Sequence, residues 1–516
     1  MYNQSRIYAH SLRQHCQTGD RCLLCVQPSN DFIIAFIGTL YAGCIPIPAY
    51  PPFAAAQSLL LTQFAEITQS KCIILDKQVF TITRLLKAIA PLINQKILNI
   101  INKLIPLHFT KALLSYPAHC FDRLSGGEQM MGACPQESDV AYIQFSSGTT
   151  NKPKGVMVTY QNVVENVHAI HEKFKANAKS IGYIWIPPFH DMGLVGGILY
   201  PLLYGFHAYL TSPLSFIKNP ASWVNNVSKL RATITGGPNF AYAFTAGIPD
   251  DKTDDNCDLS SIDVLFCGSE QVIPEDISKF YQKYTGKGLR EDTFLPCYGL
   301  AESTLMVTAE NASLKEHTYG FSKKSFLSNV LAISDSEHDL QELCSCGVSH
   351  SDQEIVIVDP DTLQELELHR IGLICIRSKS IAAGYYNRPN LSQKVFHLRL
   401  PSIEGEFLNT GDLGALFNGR LFITGRLKDM FVINGINYYS SLLEQSLSKR
   451  SSLFRKGGVA VVQSHILSPN KPIILIELKH SSTDISFTEI ITDIRQFFLD
   501  EYKLTPLAIG LLSKRS

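Results

Sequence analysis

The stretch AYIQFSSGTTNKPKGVMVTYQNV, residues Ala141 to Val163, decides how the rest of the chain is read. It opens on an apolar run, YIQF, of strand character. It then sets Ser146, Ser147, Gly148, Thr149 and Thr150 in a row and closes on Lys152, Pro153, Lys154 and Gly155. A glycine-containing loop rich in hydroxyls and backbone N–H groups wraps phosphate oxygens, and a lysine at its far end adds positive charge. The spacing GxxxxGK[ST] of the Walker A loop is absent, so kinase or GTPase chemistry is not implied. A polar turn that merely reverses the chain needs neither five consecutive small or hydroxyl residues nor the Pro-Lys-Gly ending.

Outward from this loop, short β-rich runs alternate with helical ones: CLLCV, DFIIAFIGTLYAG, KCIILD, AYIQF and QNVVENVHAIHEKF. Further strand candidates are GYIWI, AYL, DVLFCG, EIVIVD and GLICIRS. That alternation predicts an α/β fold with mostly parallel strands buried on both faces. The stretch from Ile93 to Cys120 is apolar without a clear period and is left unassigned. From Asn409 to Asp429 the texture changes to NTGDLGALFNGRLFITGRLKD, turn signals around two short strands. The expected division is a large layered domain over residues 1–424 and a small, incomplete α+β unit over 425–516. In the latter, GVAVVQSHI and PIILIELKH read as strands and TEIITDIRQFFLDEYK as a helix.

Bulk properties exclude several classes. The 516 residues are 45% hydrophobic and 18% charged, enough for more than one buried core. Lys plus Arg (46) equals Asp plus Glu (46), so no net field steers polyanions, and nucleic acid is not an expected partner. Thirteen cysteines and a polar start, MYNQSRIYAHS, predict reduced thiols in a cytoplasmic protein. Cys22 and Cys25 stand as CxxC, but three residues apart on a strand they point to opposite faces, and Cys344 and Cys346 have no evident partner ligands; no zinc is expected. Phe32 to Ala65 carries no charge, yet its glycines and prolines leave only about 13 apolar residues in a run, short of the roughly 20 a spanning helix needs. A buried helix followed by an extended loop is predicted there, with no transmembrane segment.

SSGTTNKPKG resembles the signature loop of the adenylate-forming superfamily, the acyl-CoA synthetases, luciferases and peptide-synthetase adenylation domains. Asn151 stands where that family usually has glycine, and Asn tolerates left-handed backbone better than most residues. Other motifs follow in the family's order. LPCYGLAES (Leu295 to Ser303) resembles the motif whose aromatic residue lies by adenine and whose glutamate holds magnesium, which implies those roles for Tyr298 and Glu302, with Gly299 beside them. Ala301 replaces the usual threonine. NTGDL implies that Asp412 grips the ribose hydroxyls, and GRLKDMFVINGIN that Arg426 meets ribose or phosphate and Lys428 stands at the hinge. By the same resemblance Ser146, Ser147, Gly148 and Thr150, with Gly268 and Ser269 of FCGSEQ, bind the nucleotide, and Thr149 and Lys154 join Glu302 in catalysis. FCGSEQ lacks the GxSxG elbow of a serine hydrolase.

PPFHDMGLVGGIL (Pro187 to Leu199), TGGPNFAY, YGLAEST and AGCIPIPAYPP are similar to the fatty acyl-AMP ligases, so the resemblance reaches subfamily level and runs along essentially the whole chain. It implies ATP and Mg²⁺ as cofactors, a medium- or long-chain fatty acid as substrate, release of pyrophosphate, and transfer of the acyl group to an acyl carrier protein or a synthetase carrier domain. An acyl-CoA synthetase is the alternative acceptor reading. A segment blocking the CoA-using arrangement would fall between Ala309 and Cys346. Gly193, Gly196, Gly197, Gly236 and Gly237 either open a path for an alkyl chain or serve tight packing. His190 is assigned to the reacting carboxylate and Asp191 to the N-cap of the following helix. The family's C-terminal lysine segment is expected just where the sequence reads GLLSKRS, and Lys514 matches no motif. A missing cation of that kind costs about 2.7 to 4 kcal/mol of transition-state stabilisation, so a chain that binds adenylate but scarcely makes it is a further alternative.

Overall fold

The computed structural model describes residues 1–89, 110–124, 134–146, 153–433, 436–464, 468–479 and 486–513. Strands β1 (Arg21–Cys25), β2 (Ile45–Pro48), β3 (Cys72–Leu75) and β4 (Ala118–Cys120) form a parallel sheet in the order β2-β1-β3-β4. Strands β5 (Val140–Ser146) and β6 (Lys154–Thr159) make an antiparallel hairpin. Parallel strands β7 (Ile181–Ile184), β8 (His207–Leu210), β9 (Ile234–Gly237), β10 (Val264–Cys267) and β11 (Phe294–Gly299) build the central sheet. Its last parallel strand pairs with antiparallel β12 (Met306–Ala309). After the hairpin of β13 (Thr318–Ser322) and β14 (Leu340–Cys344), β15 (Val348–Ser349) completes the sheet in the order β15-β12-β11-β10-β9-β7-β8. Strands β9 and β10 are buried at every residue, as expected of strands covered on both faces; the one polar side chain, Thr235 of β9, is satisfied by accepting from Trp223 Nε1–H and donating to the Tyr183 carbonyl.

An antiparallel sheet of β16 (Glu354–Val358), β17 (Gly372–Arg377), β18 (Leu408–Phe417) and β19 (Arg420–Arg426) follows. Asn418 and Gly419 close β18 onto β19 with φ of 50° and 76°, the paired left-handed conformation of a two-residue hairpin turn. The chain ends in β20 (Met430–Ile433), β21 (Ile436–Tyr439), β22 (Phe454–Ser464), β23 (Ser468–Leu478), the helix Phe487–Tyr502 and β24 (Ala508–Leu512). These surround a separate core that includes Phe431, Leu447, Val461, Ile474, Ile494 and Phe498. Ion pairs of Lys456 with Asp276 and of Lys449 with Glu275 (3.9 Å) join this unit to the helix Pro274–Tyr284.

The mixed α/β architecture matches the sequence reading, with two differences. The loop predicted after the helix Asn30–Tyr41 contains β2, whose sequence is IPIP. Pro46 and Pro48 fit a strand there because β2 is the sheet's edge and has a partner on one side only. The run MGLVGGIL, expected as an ordinary helix, winds as a π-helix over Met192–Leu199 before the α-helix Tyr200–Tyr204. Among the described residues, no helix is long and apolar enough to cross a membrane.

Candidate functional site

A cavity of about 1620 Å³ runs between the central sheet, the β18–β19 hairpin and the C-terminal unit. One end is built where the central sheet changes from parallel to antiparallel. The β11–β12 register shifts between Tyr298 and Gly299, a bulge that redirects the chain at the strand end. A Cβ on Gly299 would lie 1.9 Å from the Leu305 carbonyl oxygen, so only glycine permits this fold-back. The Tyr298 hydroxyl donates to Asp412 Oδ2 at 2.7 Å, and Arg426 Nε lies 3.1 Å from Asp412 Oδ1. Asp412 and Arg426 face each other as register partners across the hairpin. Burial lifts the Asp412 carboxyl above the ordinary carboxylate range, against the opposing pull of Tyr298 and Arg426. The result is a buried, oriented acceptor with a guanidinium beside it, suited to a diol and an adjacent phosphate.

A second cluster lies beyond it. Ser146 and Lys154 are register partners at the open end of the β5–β6 hairpin, so the loop between them starts at the cavity wall that both residues line. Ser147, Gly148, Thr149 and Thr150, with Asn151 and Lys152, lie outside the described residues. The Lys154 ammonium sits 5.0 Å from the centre of the Tyr385 ring. The Tyr385 hydroxyl donates to Glu302 Oε1 at 2.7 Å. Glu302 is held in a 3-10 turn (Ala301–Ser303), and its own carbonyl accepts from Ala382 N–H at 2.9 Å. Lysine, tyrosine and glutamate thus form one cationic and anionic rim for a charged ligand.

His190 and Ser269 stand together on the cavity wall, with His190 Nε2 3.5 Å from Ser269 Oγ. Asp191 caps the π-helix as expected, accepting from Met192 N–H at 2.7 Å, and its carboxylate also lies 2.7 Å from His190 Nδ1. Burial disfavours a charged imidazole there, but Asp191 overrides it and holds His190 above the ordinary histidine value. Ser269, at φ 73°, lines the cavity, whereas Gly268 is packed behind it: a Cβ on Gly268 would come 2.6 Å from Cys297 Sγ.

From this wall an apolar arm extends between Ile170, Phe174, Gly196, Phe266, Leu305 and Met306. The glycines divide between their two readings. Added Cβ atoms would strike the Pro187 oxygen at Gly193 (2.2 Å), Ile184 at Gly197 (2.7 Å), the Phe266 oxygen at Gly236 (2.1 Å) and Trp185 at Gly237 (2.5 Å). Those four serve close packing. Gly196 alone of the five lines the arm, where its nearest neighbour would be Leu305 Cδ2 at 3.4 Å. Lys428 occupies the 3-10 turn Leu427–Asp429 between β19 and β20 and also lines the cavity. Sequence reasoning missed Tyr385, which sits in AAGYYNRP with no motif to single it out, and the contributions of Ser441, Val461 and Gln463 from the C-terminal unit.

The family model described as AMP-binding enzyme matches residues 1–386. The medium-chain-fatty-acid–[acyl-carrier-protein] ligase JamA of Moorena producens is 30% identical over 534 aligned residues, covering 99% of this chain and 85% of that protein. A Mycobacterium tuberculosis protein named putative fatty-acid–CoA ligase FadD21 is also 30% identical, covering 93% and 80%. Among solved structures, the fatty acyl-adenylate ligase of L. pneumophila in complex with acyl adenylate and pyrophosphate is 31% identical, with a TM-score of 0.74 over 100% of this chain and 87% of that one.

Proposed function

The chain belongs to the AMP-binding enzyme family, and on that premise we propose that it uses ATP to convert a medium- or long-chain fatty acid to its acyl-AMP, releases pyrophosphate, and passes the acyl group to a carrier-protein phosphopantetheine thiol. The observation that carries this reading is the continuity of one cavity from the polar Tyr298, Asp412 and Arg426 end to the apolar arm. A nucleotide and an alkyl chain fit the two ends, and their reactive groups would meet near Lys154, His190 and Glu302. Asp412 takes the ribose hydroxyls, Tyr298 flanks the base, and Arg426 takes ribose or phosphate. Ser146, Ser147, Gly148, Thr149 and Thr150 wrap the phosphates, and Ser269, with Gly268 packed behind it, borders the nucleotide.

A carboxylate oxygen of the fatty acid attacks the α-phosphorus, the new P–O bond forms, and the bond to pyrophosphate breaks. The protein's work is alignment and charge neutralisation, since two anions must meet in line. Lys154 supplies positive charge, and His190, held by Asp191, offers its ring N–H to the reacting carboxylate. Glu302 fits the usual magnesium pattern of one or two carboxylates plus substrate phosphates, its Oε1 being anchored by Tyr385. When bound, Mg²⁺ would neutralise charge on the leaving phosphates.

Residues 1–424 and 425–516 are the two working units of this reading, with Lys428 at the hinge between them. The segment around β13 and β14 touches the C-terminal unit through Lys323 and Glu501 (3.3 Å), Gln341 and Gln445 (3.2 Å), and Asn329 and Tyr439 (2.8 Å). Such a restraint on the unit's position supports a carrier thiol over free coenzyme A as acceptor. The deciding experiment is mass spectrometry of products formed from ATP, Mg²⁺, a panel of fatty acids and coenzyme A. Accumulated acyl-AMP without acyl-CoA is expected. Acyl-CoA would overturn the acceptor, and nucleotide binding without any product would overturn the activity.

A further inference from the structure

One feature of the N-terminal sheet has no part in acid activation. Cys22 on β1 and Cys72 on β3 are register partners on adjacent parallel strands, so their side chains stand side by side on one face. The turn after the helix Tyr2–Arg13 brings Cys16 onto the pair: its Sγ lies 3.6 Å from Cys72 Sγ and 3.9 Å from Cys22 Sγ. All three sulfurs lie within 4.8 Å of one another, and none of the three residues is more than 3% exposed. Cys44, also buried just before β2, stays outside this trio, its thiol donating to the Gln17 carbonyl at 3.2 Å.

We propose that Cys16, Cys22 and Cys72 form a three-thiolate zinc site that ties the turn after the first helix to β1 and β3. A Zn–S bond of about 2.3 Å in a tetrahedron places neighbouring sulfurs about 3.8 Å apart. The observed 3.6 and 3.9 Å separations bracket that edge. Cysteines that only fill a core behave as small hydrophobes, which gives no reason for thiols from three chain segments to converge on one point. A disulfide would join two of the sulfurs at about 2.05 Å and leave the third unused. An all-sulfur, buried donor set selects zinc over magnesium or calcium.

The surroundings suit a charged centre. The Tyr8 hydroxyl is buried beside the three thiols with no hydrogen-bond partner at normal geometry, and thiolate sulfurs would give it an acceptor. Binding breaks three S–H bonds, forms three Zn–S bonds and releases three protons, with no change of oxidation state.

The test is elemental analysis of the full chain, purified with a phosphine reductant and no chelator, together with the absorption of its Co²⁺-substituted form. About one zinc per chain is expected, with the intense visible bands and thiolate-to-metal charge transfer of tetrahedral Co²⁺. Cys134→Ser, at an exposed thiol outside the cluster, keeps the full metal content, whereas Cys16→Ser and Cys72→Ser lose most of it. Should either serine variant misfold, the cobalt spectrum of the unaltered chain still decides. Weak octahedral bands, no retained zinc after desalting, or a Cys16–Cys72 disulfide in place of metal would each overturn the proposal.

Discussion

Replacing Tyr385 with phenylalanine tests the proposed metal end of the site. The change removes one hydroxyl, which donates to Glu302 Oε1 at 2.7 Å, and keeps the ring that packs on Phe396 at 5.0 Å and faces the Lys154 ammonium. A hydrogen bond to a charged group is worth about 1.5 to 3 kcal/mol net. At 1.36 kcal/mol per tenfold, that spans about 10- to 150-fold in rate. Glu302 keeps partial access to water, so the lower part of the range, about 10- to 30-fold in kcat/KM, is the expected loss. Because Tyr385 positions the carboxylate and does not itself touch the reacting atoms, the loss should appear mainly as a higher Mg²⁺ requirement. Fatty-acid-dependent exchange of pyrophosphate into ATP, titrated with Mg²⁺, measures it, and a thermal melt shows that the fold is retained. A Mg²⁺ titration that overlays that of the unaltered chain would refute the assignment of Glu302 and Tyr385 to the metal end.

Asp412→Ala removes the acceptor shared by Tyr298 and Arg426 and should weaken ATP binding by about 10- to 100-fold, roughly 1.4 to 2.8 kcal/mol, by calorimetric titration; unchanged affinity would place the ribose elsewhere. The His190–Asp191 pair raises the folded histidine value above 6.5, so its stabilisation is complete below that pH and fades as the pH rises through the folded value. Melting temperatures of the unaltered chain and His190→Gln should therefore differ most below about pH 6.5 and converge only as the pH rises past the raised folded value, and a constant difference would show that the pair does not titrate as described. Gly193→Ala drives a Cβ to 2.2 Å from the Pro187 oxygen and should cost about 1 to 3 kcal/mol of stability. Gly196→Ala meets only Leu305 Cδ2 at 3.4 Å, so it should melt normally but accept shorter acyl chains; equal melting losses in the two variants would contradict this division.

Motifs short enough to be contiguous were legible in the sequence because local chemistry sets them. The hydroxyl-rich loop between β5 and β6, Tyr298 and Glu302 at the end of β11, and the Asp412 and Arg426 strands each carry their own turn signals and strand patterns. The Asn-Gly turn at residues 418 and 419 and the capping carboxylate of Asp191 were readable for the same reason, since backbone dihedrals and helix ends are satisfied within a few residues.

What lay between distant segments was decided only by tertiary structure. Tyr385 reaches Glu302 across 83 positions of sequence, and neither residue's neighbours reveal the pairing. Glycines of identical local appearance separated into four packing sites and one cavity wall, because the approach of Pro187, Ile184, Phe266 and Trp185 depends on how the sheet and helices pack. The cysteines make the same point most sharply. The sequence invited comparison of Cys22 with Cys25, which strand geometry sends to opposite cores, while parallel pairing of β1 with β3 brings Cys22 to Cys72, 50 positions away. Periodicity along one chain fixes which face a residue takes, but register between strands fixes what it meets there.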